Sequence, residues 1–194
     1  MDLREYMSVR RAYNAVRQAL PSDSRITFEE FAILCRLAAV GEPVKTSAIA
    51  EYQQALRPTM THRTNHLVTA GLIERGEGDV DRRNVVCKIT EKGNEFVQSL
   101  SAQTREQIPA GQPLSRTSPE RIMRYVDAMG SVFMKAGDLV LLSLLLNEDG
   151  DNTITSLVDS LALLQPTVSM SVNALDSEGL VSRARQGSRT VGIS

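Results

Sequence analysis

The sequence predicts a mainly α fold with small β wings (α+β), in which two winged helix-turn-helix domains stand in tandem, joined by helices of the dimerisation type. Three observations predict it. Residues 76–90 read as a charged hairpin feeding a strand, residues 57–70 read as a short polar helix in front of that hairpin, and the pattern returns at a fixed offset in the second half of the chain.

The first element is a helix. Leu3, Tyr6, Val9, Tyr13, Val16 and Leu20 recur at steps of three and four, with Arg4, Arg10, Arg11 and Arg17 assigned to the other faces. A helix from about Thr46 to Tyr52 follows an apolar run, with Thr46 or Ser47 as cap and Ile49 and Ala50 as buried anchors. Residues 56–75 then start like a helix, since Pro58 suits the first helical position, and stop like one at Gly71. Met60, Thr64, Leu67 and Val68 fall on one face of it. Thr59, Thr61, His62, Arg63, Asn65 and His66 cover the rest, a dense set of donors and cations without a carboxylate.

The hairpin comes next. Gly76 and Gly78 permit the tight turn before the charged tip Asp79-Val-Asp-Arg-Arg83, and Val85, Cys87 and Ile89 alternate as a half-buried strand does. Thr90 caps a helix that Gly93 enters and that carries Phe96, Val97 and Leu100. A turn-rich loop over 108–118 leads to a second striped helix from about Pro119 to Met134, with Ile122, Val126, Met129 and Phe133. Such stripes fit an ordinary core and an interface between chains equally well.

The spacing Asp81-x-Arg83-x5-Ile89-Thr90-x-x-Gly93 resembles the wing motif of the MarR (multiple antibiotic resistance regulator) family, and Thr59-x-Thr61 followed by Gly71-Leu72-Ile73 resembles its recognition helix and next strand. The resemblance covers roughly residues 3–105. It implies that Arg83 enters the minor groove of double-stranded DNA and that Asp81 orients it, with Arg82 beside them. Thr59, Thr61, His62 and Arg63 would face the major groove, and Arg57 and His66 would lie nearer the phosphates. The chain departs from the family where His62 stands in place of a common arginine, and where Arg63 and Thr64 replace common apolar residues. The resemblance further implies a repressor and a small-molecule effector bound between head and helices; a cytoplasmic location is expected because the start Met-Asp-Leu-Arg-Glu does not read as a signal peptide. Eight aromatic residues mark out no pocket for that effector.

Residues 164–183 align without a gap on 56–75 at an offset of 108, repeating Leu, Pro, Thr, Asn, Leu, Gly, Leu and Arg. Leu139–Leu146 falls over Phe31–Ala38 at the same offset, and Ile193-Ser194 echoes Ile89-Thr90 after a wing shorter by about four residues. This arrangement resembles the two-headed Sar-type branch of the MarR-like regulators. The division expected is an N-terminal interface helix over 1–25, a winged-helix DNA-binding domain over 26–105, a linker and central helix over 106–135, and a degenerate second winged helix over 136–194. The copies differ in charge: no lysine or arginine occurs from Ala136 to Ser182, where Asp138, Glu148, Asp149, Asp151, Asp159, Asp176 and Glu178 are acidic. Only Arg183, Arg185 and Arg189 of the second wing are cationic, and phosphate neutralisation supplies most non-specific DNA affinity. With one effective head per chain, the expectation leans to a homodimer over a single-chain pseudo-dimer.

The net charge of −1 advertises no global basic footprint, so the local map has to decide. Enzymatic readings find no support, since no glycine-rich phosphate loop, Gly-x-Ser-x-Gly elbow or His-Glu-x-x-His occurs, and no cofactor is expected. His62 and His66 have the spacing of a zinc pair but lack a third ligand nearby, so no metal is expected. Cys35 and Cys87 read as reduced core residues. No apolar run reaches membrane-spanning length. The alternative is a tandem winged-helix scaffold that binds protein partners in chromosome organisation, a reading the acidic second half would suit.

Overall fold

The computed structural model describes residues 2–77, 85–132, 134–147, 152–161, 163–183 and 191–193. Helix α1 (Leu3–Ala19) opens with a capping box, in which Asp2 accepts the Arg4 amide at 2.8 Å and Glu5 reaches back to the Asp2 amide. Tyr6, Val9, Tyr13 and Val16 are buried as the stripe predicts, whereas Leu3 is exposed and Leu20 lies beyond the helix as its C-cap. Arg10 departs from the sequence reading, which put it on an outer face. It is 3% exposed. Its Nε donates to the Leu161 carbonyl at 3.2 Å, and its guanidinium faces Glu29 at 3.4 Å and the Phe28 ring at 4.8 Å. Asn14, one turn on, donates to the Asp159 carbonyl. The reason is that α1 is covered by two helices, α5 (Glu91–Glu106) and, from the second half, α8 (Ile154–Leu161).

The first head starts at α2 (Phe28–Val40), whose capping box pairs Thr27 with Glu30 and whose end is Gly41 at φ 73°. Strand β1 (Val44–Lys45), helix α3 (Thr46–Tyr52), helix α4 (Arg57–Thr69) and strands β2 (Ile73–Glu77) and β3 (Val85–Ile89) complete it. The strands form an antiparallel sheet in the order β1-β3-β2, with Val44 opposite Cys87 and Ile73 opposite Ile89. Two expectations shift here. Gly76 sits inside β2 opposite Val86 rather than in the turn, and the N-cap of α3 is Lys45, without a side-chain bond. Thr46 instead donates to the Val85 carbonyl at 3.1 Å, tying α3 to the sheet. The hairpin tip, with Gly78, Asp81, Arg82 and Arg83, lies outside the described residues.

Helix α5 (Glu91–Glu106) begins where expected: Thr90 accepts the Gly93 amide at 3.0 Å and donates to the Gly71 carbonyl at 2.8 Å. Glycine at 93 is a matter of space, because a Cβ there would sit 2.0 Å from the Leu72 carbonyl oxygen. Both cysteines are free and buried, and burial holds the Cys35 thiol well above its ordinary range.

Helix α6 (Pro119–Gly130) is capped by Ser118 and buries Ile122, Val126 and Met129 against α2 and α5, stopping short of the expected Met134. Phe133 lies outside the described residues. The stripes of α1 and α6 are therefore core of this one chain. The second half comprises α7 (Ala136–Leu145), α8 (Ile154–Leu161), α9 (Gln165–Ser177) and the antiparallel pair β4 (Val181–Arg183) and β5 (Val191–Ile193). Among the described residues no helix is long and apolar enough to cross a membrane.

Two predictions follow from these contacts. Gly93→Ala should lower unfolding stability by about 3 kcal/mol, because the added methyl meets backbone rather than a flexible side chain; urea denaturation with unchanged stability would contradict the close approach. Asp127 on α6 is raised above its ordinary pKa, since burial outweighs Arg36 at 3.6 Å, and its Oδ1 has no partner among the described residues. The native state then binds a proton more tightly than the unfolded chain does, so this group's contribution to stability falls as pH rises through the window above 3.8. Denaturation curves between acid and neutral pH should accordingly lose part of that fall in Asp127→Asn.

Candidate nucleic-acid interface

The turn between α3 and α4 is closed by a hydrogen bond from the Ala55 amide to the Ala50 carbonyl at 2.9 Å, with Gln54 in the left-handed region at φ 49°. Gln53, buried beside it, donates to the Glu29 carbonyl at 2.9 Å and accepts from Arg63 Nη1 at 2.9 Å. Helix α4 then starts at Arg57 after Leu56, which supplies no side-chain cap, and Pro58 is its second residue rather than its first. The helix buries Met60, Thr64 and Leu67. Val68, expected on that face, is 37% exposed. The helix ends with Gly71 at φ 72°, as the sequence predicts.

The predicted site residues separate into three groups. Arg57, Thr59, Thr61 and His62 are exposed along α4. Arg63 and His66 are half-buried and engaged within the protein, Arg63 with Gln53 and His66 Nδ1 with Glu30 Oε1 at 2.8 Å. Asp81, Arg82 and Arg83 lie outside the described residues. His62 and His66 thus do not share a site, and no group of three metal-ligating side chains occurs among the described residues.

Three residues matter here that the sequence reading passed over. Glu30, 2% exposed, accepts the Thr27 amide at 2.7 Å as well as His66, so one buried carboxylate caps α2 and holds α4. Gln53 fixes the turn. Arg75 on β2 reaches back across α4 to the Thr61 carbonyl at 3.4 Å, to Thr64 Oγ1 and to Asn65 Oδ1. The visible signal for Arg75 was its repetition at Arg183, which served only to align the halves. Between α3, α4 and the sheet lies an open groove of about 500 Å³, lined in part by Thr46, Ser47, Arg57, Thr61 and Arg75. Among the described residues that line it there is no carboxylate.

A helix-turn-helix followed by an antiparallel hairpin, with this polar helix facing outward, is the arrangement that decides the comparison. Residues 26–85 match the MarR family. That segment spans α2 to the start of β3, and the architecture around it is mainly helical with small antiparallel sheets, as a winged helix requires. Solved structures similar to this chain include the transcriptional regulator BldR from Sulfolobus solfataricus, with TM-score 0.47 and 21% identity over 64% of this chain and 85% of that one. A mutant MarR from E. coli complexed with operator DNA has TM-score 0.42 and 20% identity, over 63% and 87%. CouR from Rhodococcus jostii, bound to p-coumaroyl-CoA, has TM-score 0.42 and 20% identity, over 66% and 85%. No curated protein matches the chain.

The bridge from Arg75 to α4 generates a prediction. Arg75→Ala should cost about 1–2 kcal/mol of unfolding stability, because Thr64 Oγ1 is buried and loses a charged donor. Lysine should not restore it, since a single ammonium cannot span the three acceptors. Equal stability of wild type and Arg75→Ala in urea would show that the bridge contributes nothing.

Proposed function

We propose that the chain is a sequence-specific double-stranded DNA-binding regulator of transcription, acting in the cytoplasm as a repressor. The observation that carries this reading is the outward face of α4, where Arg57, Thr59, Thr61 and His62 stand together beside a groove whose described lining holds Arg57 and Arg75 and no carboxylate, inside the segment that matches the MarR family. Thr59, Thr61 and His62 read base edges in the major groove, and Arg57 meets phosphate. Arg63 and His66 position the helix in the free protein through Gln53 and Glu30. The wing roles rest on the sequence motif: Arg82 and Arg83 serve the minor groove, with Asp81 orienting Arg83.

The second half is read as a degenerate copy of the winged helix, joined to the first by residues 106–135. Supporting this are the recurrence of helix, helix, helix and hairpin at the offset of 108, the leucine N-cap and second-position proline of both α4 and α9, and positive φ at both Gly71 and Gly179. The sequence leaned to a homodimer through α1 and α6, but both stripes are buried within the chain. That supports one chain acting as a pseudo-dimer. A cavity of about 390 Å³ among α1, α2, the α3–α4 turn and the end of α6, with Arg10, its partner Glu29 and Arg63 on its wall, is where we place the small-molecule effector.

Selection of duplexes from a random pool tests the reading, and failure to enrich any sequence would end it. On the selected site, Arg83→Ala should weaken binding by about 1–3 kcal/mol and flatten the salt dependence, while circular dichroism stays unchanged. Light scattering should find a monomer that binds one chain per site; a dimer in free solution would restore pairing between chains.

A further inference from the structure

Asn65 is exposed on α4, beside the residues proposed to face the major groove. At about 100° per residue it lies about 160° round the helix from Leu67, and about 60° and 40° from His62 and Thr61. Leu67 is buried, so Asn65 belongs to the outward face. Helix α4 contains no carboxylate, and Arg57 and Arg75 line the groove next to it.

The amide of Asn65 has a fixed polarity. Arg75 donates from Nη1 to Asn65 Oδ1, and a guanidinium has donors only, so the amide oxygen is the atom that must meet it. Nη2 of the same guanidinium donates to the Thr61 carbonyl and to the buried Thr64 Oγ1, so both prongs of the fork are held. Asn65 Nδ2 has no hydrogen bond among the described residues. What Asn65 offers to a ligand is therefore a donor alone. Thr61 has the opposite sense, because its hydroxyl donates to the Arg57 carbonyl at 3.0 Å and keeps its oxygen as an acceptor. Hydrogen bonds inside the protein thus set the sign of each group before any duplex arrives.

Base edges answer that sign differently. In the major groove guanine shows two adjacent acceptors, O6 and N7, whereas adenine shows the acceptor N7 beside the donor N6. An asparagine with both ends of its amide free pairs with adenine. With Oδ1 taken by Arg75 that pattern cannot form, and the edge that suits a lone amide NH2 group is that of guanine. Thymine offers a single acceptor, and the edge of cytosine offers a donor.

We propose that Asn65 is a specificity-determining residue that selects guanine, and that Arg75 is the positioning residue that makes it a donor. The inference rests on the proposed reading of α4 as the major-groove helix, and it names the chemistry of one base in the site.

Duplex selection from a random pool tests it with the wild-type chain, Asn65→Ala, Asn65→Asp and Arg75→Ala, each checked by circular dichroism and compared at one salt concentration. The position read by Asn65 is the one whose base preference collapses in Asn65→Ala. Wild type should hold guanine there, and adenine in its place should weaken wild-type binding by about tenfold. Asn65→Asp keeps an acceptor for Arg75, so the clamp on α4 survives while the outward donor becomes an acceptor. Preference at that position should then pass from guanine to cytosine, whose N4 donates. A residue that served only to hold Arg75 would show no such change, since a carboxylate meets a guanidinium at least as well as an amide does. Arg75→Ala frees Oδ1 and should raise adenine relative to guanine at the same position. A base other than guanine there in the wild-type site, uniform loss of affinity in Asn65→Ala with no position relaxed, or unchanged preference in Asn65→Asp would each overturn the proposal. A folded Arg75→Ala that keeps guanine over adenine would overturn the positioning role, and if that variant does not fold, Asn65→Asp decides. Failure of the wild-type chain to enrich any sequence would instead overturn the reading on which the proposal rests.

Discussion

The orientation of α4 depends on one buried carboxylate. Glu30 lies in the first turn of α2, almost without solvent contact, and a lone carboxylate there would cost several kcal/mol in lost hydration. It is tolerable because both oxygens are used, Oε2 by the Thr27 amide and Oε1 by the His66 ring. The same interaction therefore starts one helix and fixes the angle of another. Gln53 works from the other end of α4 through Arg63, and Arg75 clamps its middle from the sheet. Three polar contacts from three elements leave the exposed face of α4 little freedom to roll, which is what a surface that must match a groove requires.

A second constraint operates between the halves. The helix α1 leads into the first head, yet it spends Arg10 and Asn14 on carbonyls of α8, and α6, which leads into the second half, packs on α2 of the first. Each leading helix thus braces the opposite part of the chain. The two helices also meet directly where Tyr125 donates to Glu5 at 2.7 Å. The apolar stripes of α1 and α6 are buried inside the one chain, so the relation of α4 to α9 is set by burial rather than by a flexible linker. The polar line from the Leu161 carbonyl through Arg10 and Glu29 to Gln53 and Arg63 runs along a cavity wall, so whatever fills that cavity touches contacts of both halves.

Much of this was legible in the chain because the signals were local. The cap at Thr90, the left-handed glycine at 71 and the middle of the α1 stripe, Tyr6 to Val16, each depend on a few neighbouring residues, and each stands where expected. What escaped depended on partners far away in sequence. Strand β1 is two residues long, too short for any alternation to show. Arg10 and Asn14 look like surface residues until α8 arrives, and Val68 looks buried until Met60, Thr64 and Leu67 turn out to fill the contact. The residues that present α4, Glu30, Gln53 and Arg75, carry no pattern of their own, because a buried polar side chain is defined by who answers it. The wing residues Asp81, Arg82 and Arg83 were the clearest motif in the sequence and rest on that motif alone.

The repeat shows which features belong to the scaffold and which to use. Between α4 and α9 the backbone devices persist: leucine cap, proline in the second position, and glycine with nearly the same positive φ at the exit. So do the inward positions, where Met60, Thr64 and Leu67 become Val168, Val172 and Leu175, all buried. Two of the polar contacts that steer α4 have no counterpart in α9, since Arg63 has become Ser171 and His66 has become Ala174, while Arg75 recurs as Arg183. A helix whose outer surface reads a duplex needs those anchors as well as its cations; α9 itself carries no cation and lacks two of the anchors. Its inward packing is kept while its outer positions, Gln165, Met170 and Ser171 among them, no longer carry the cations of α4, so the shape of the helix and the charge on its face vary independently.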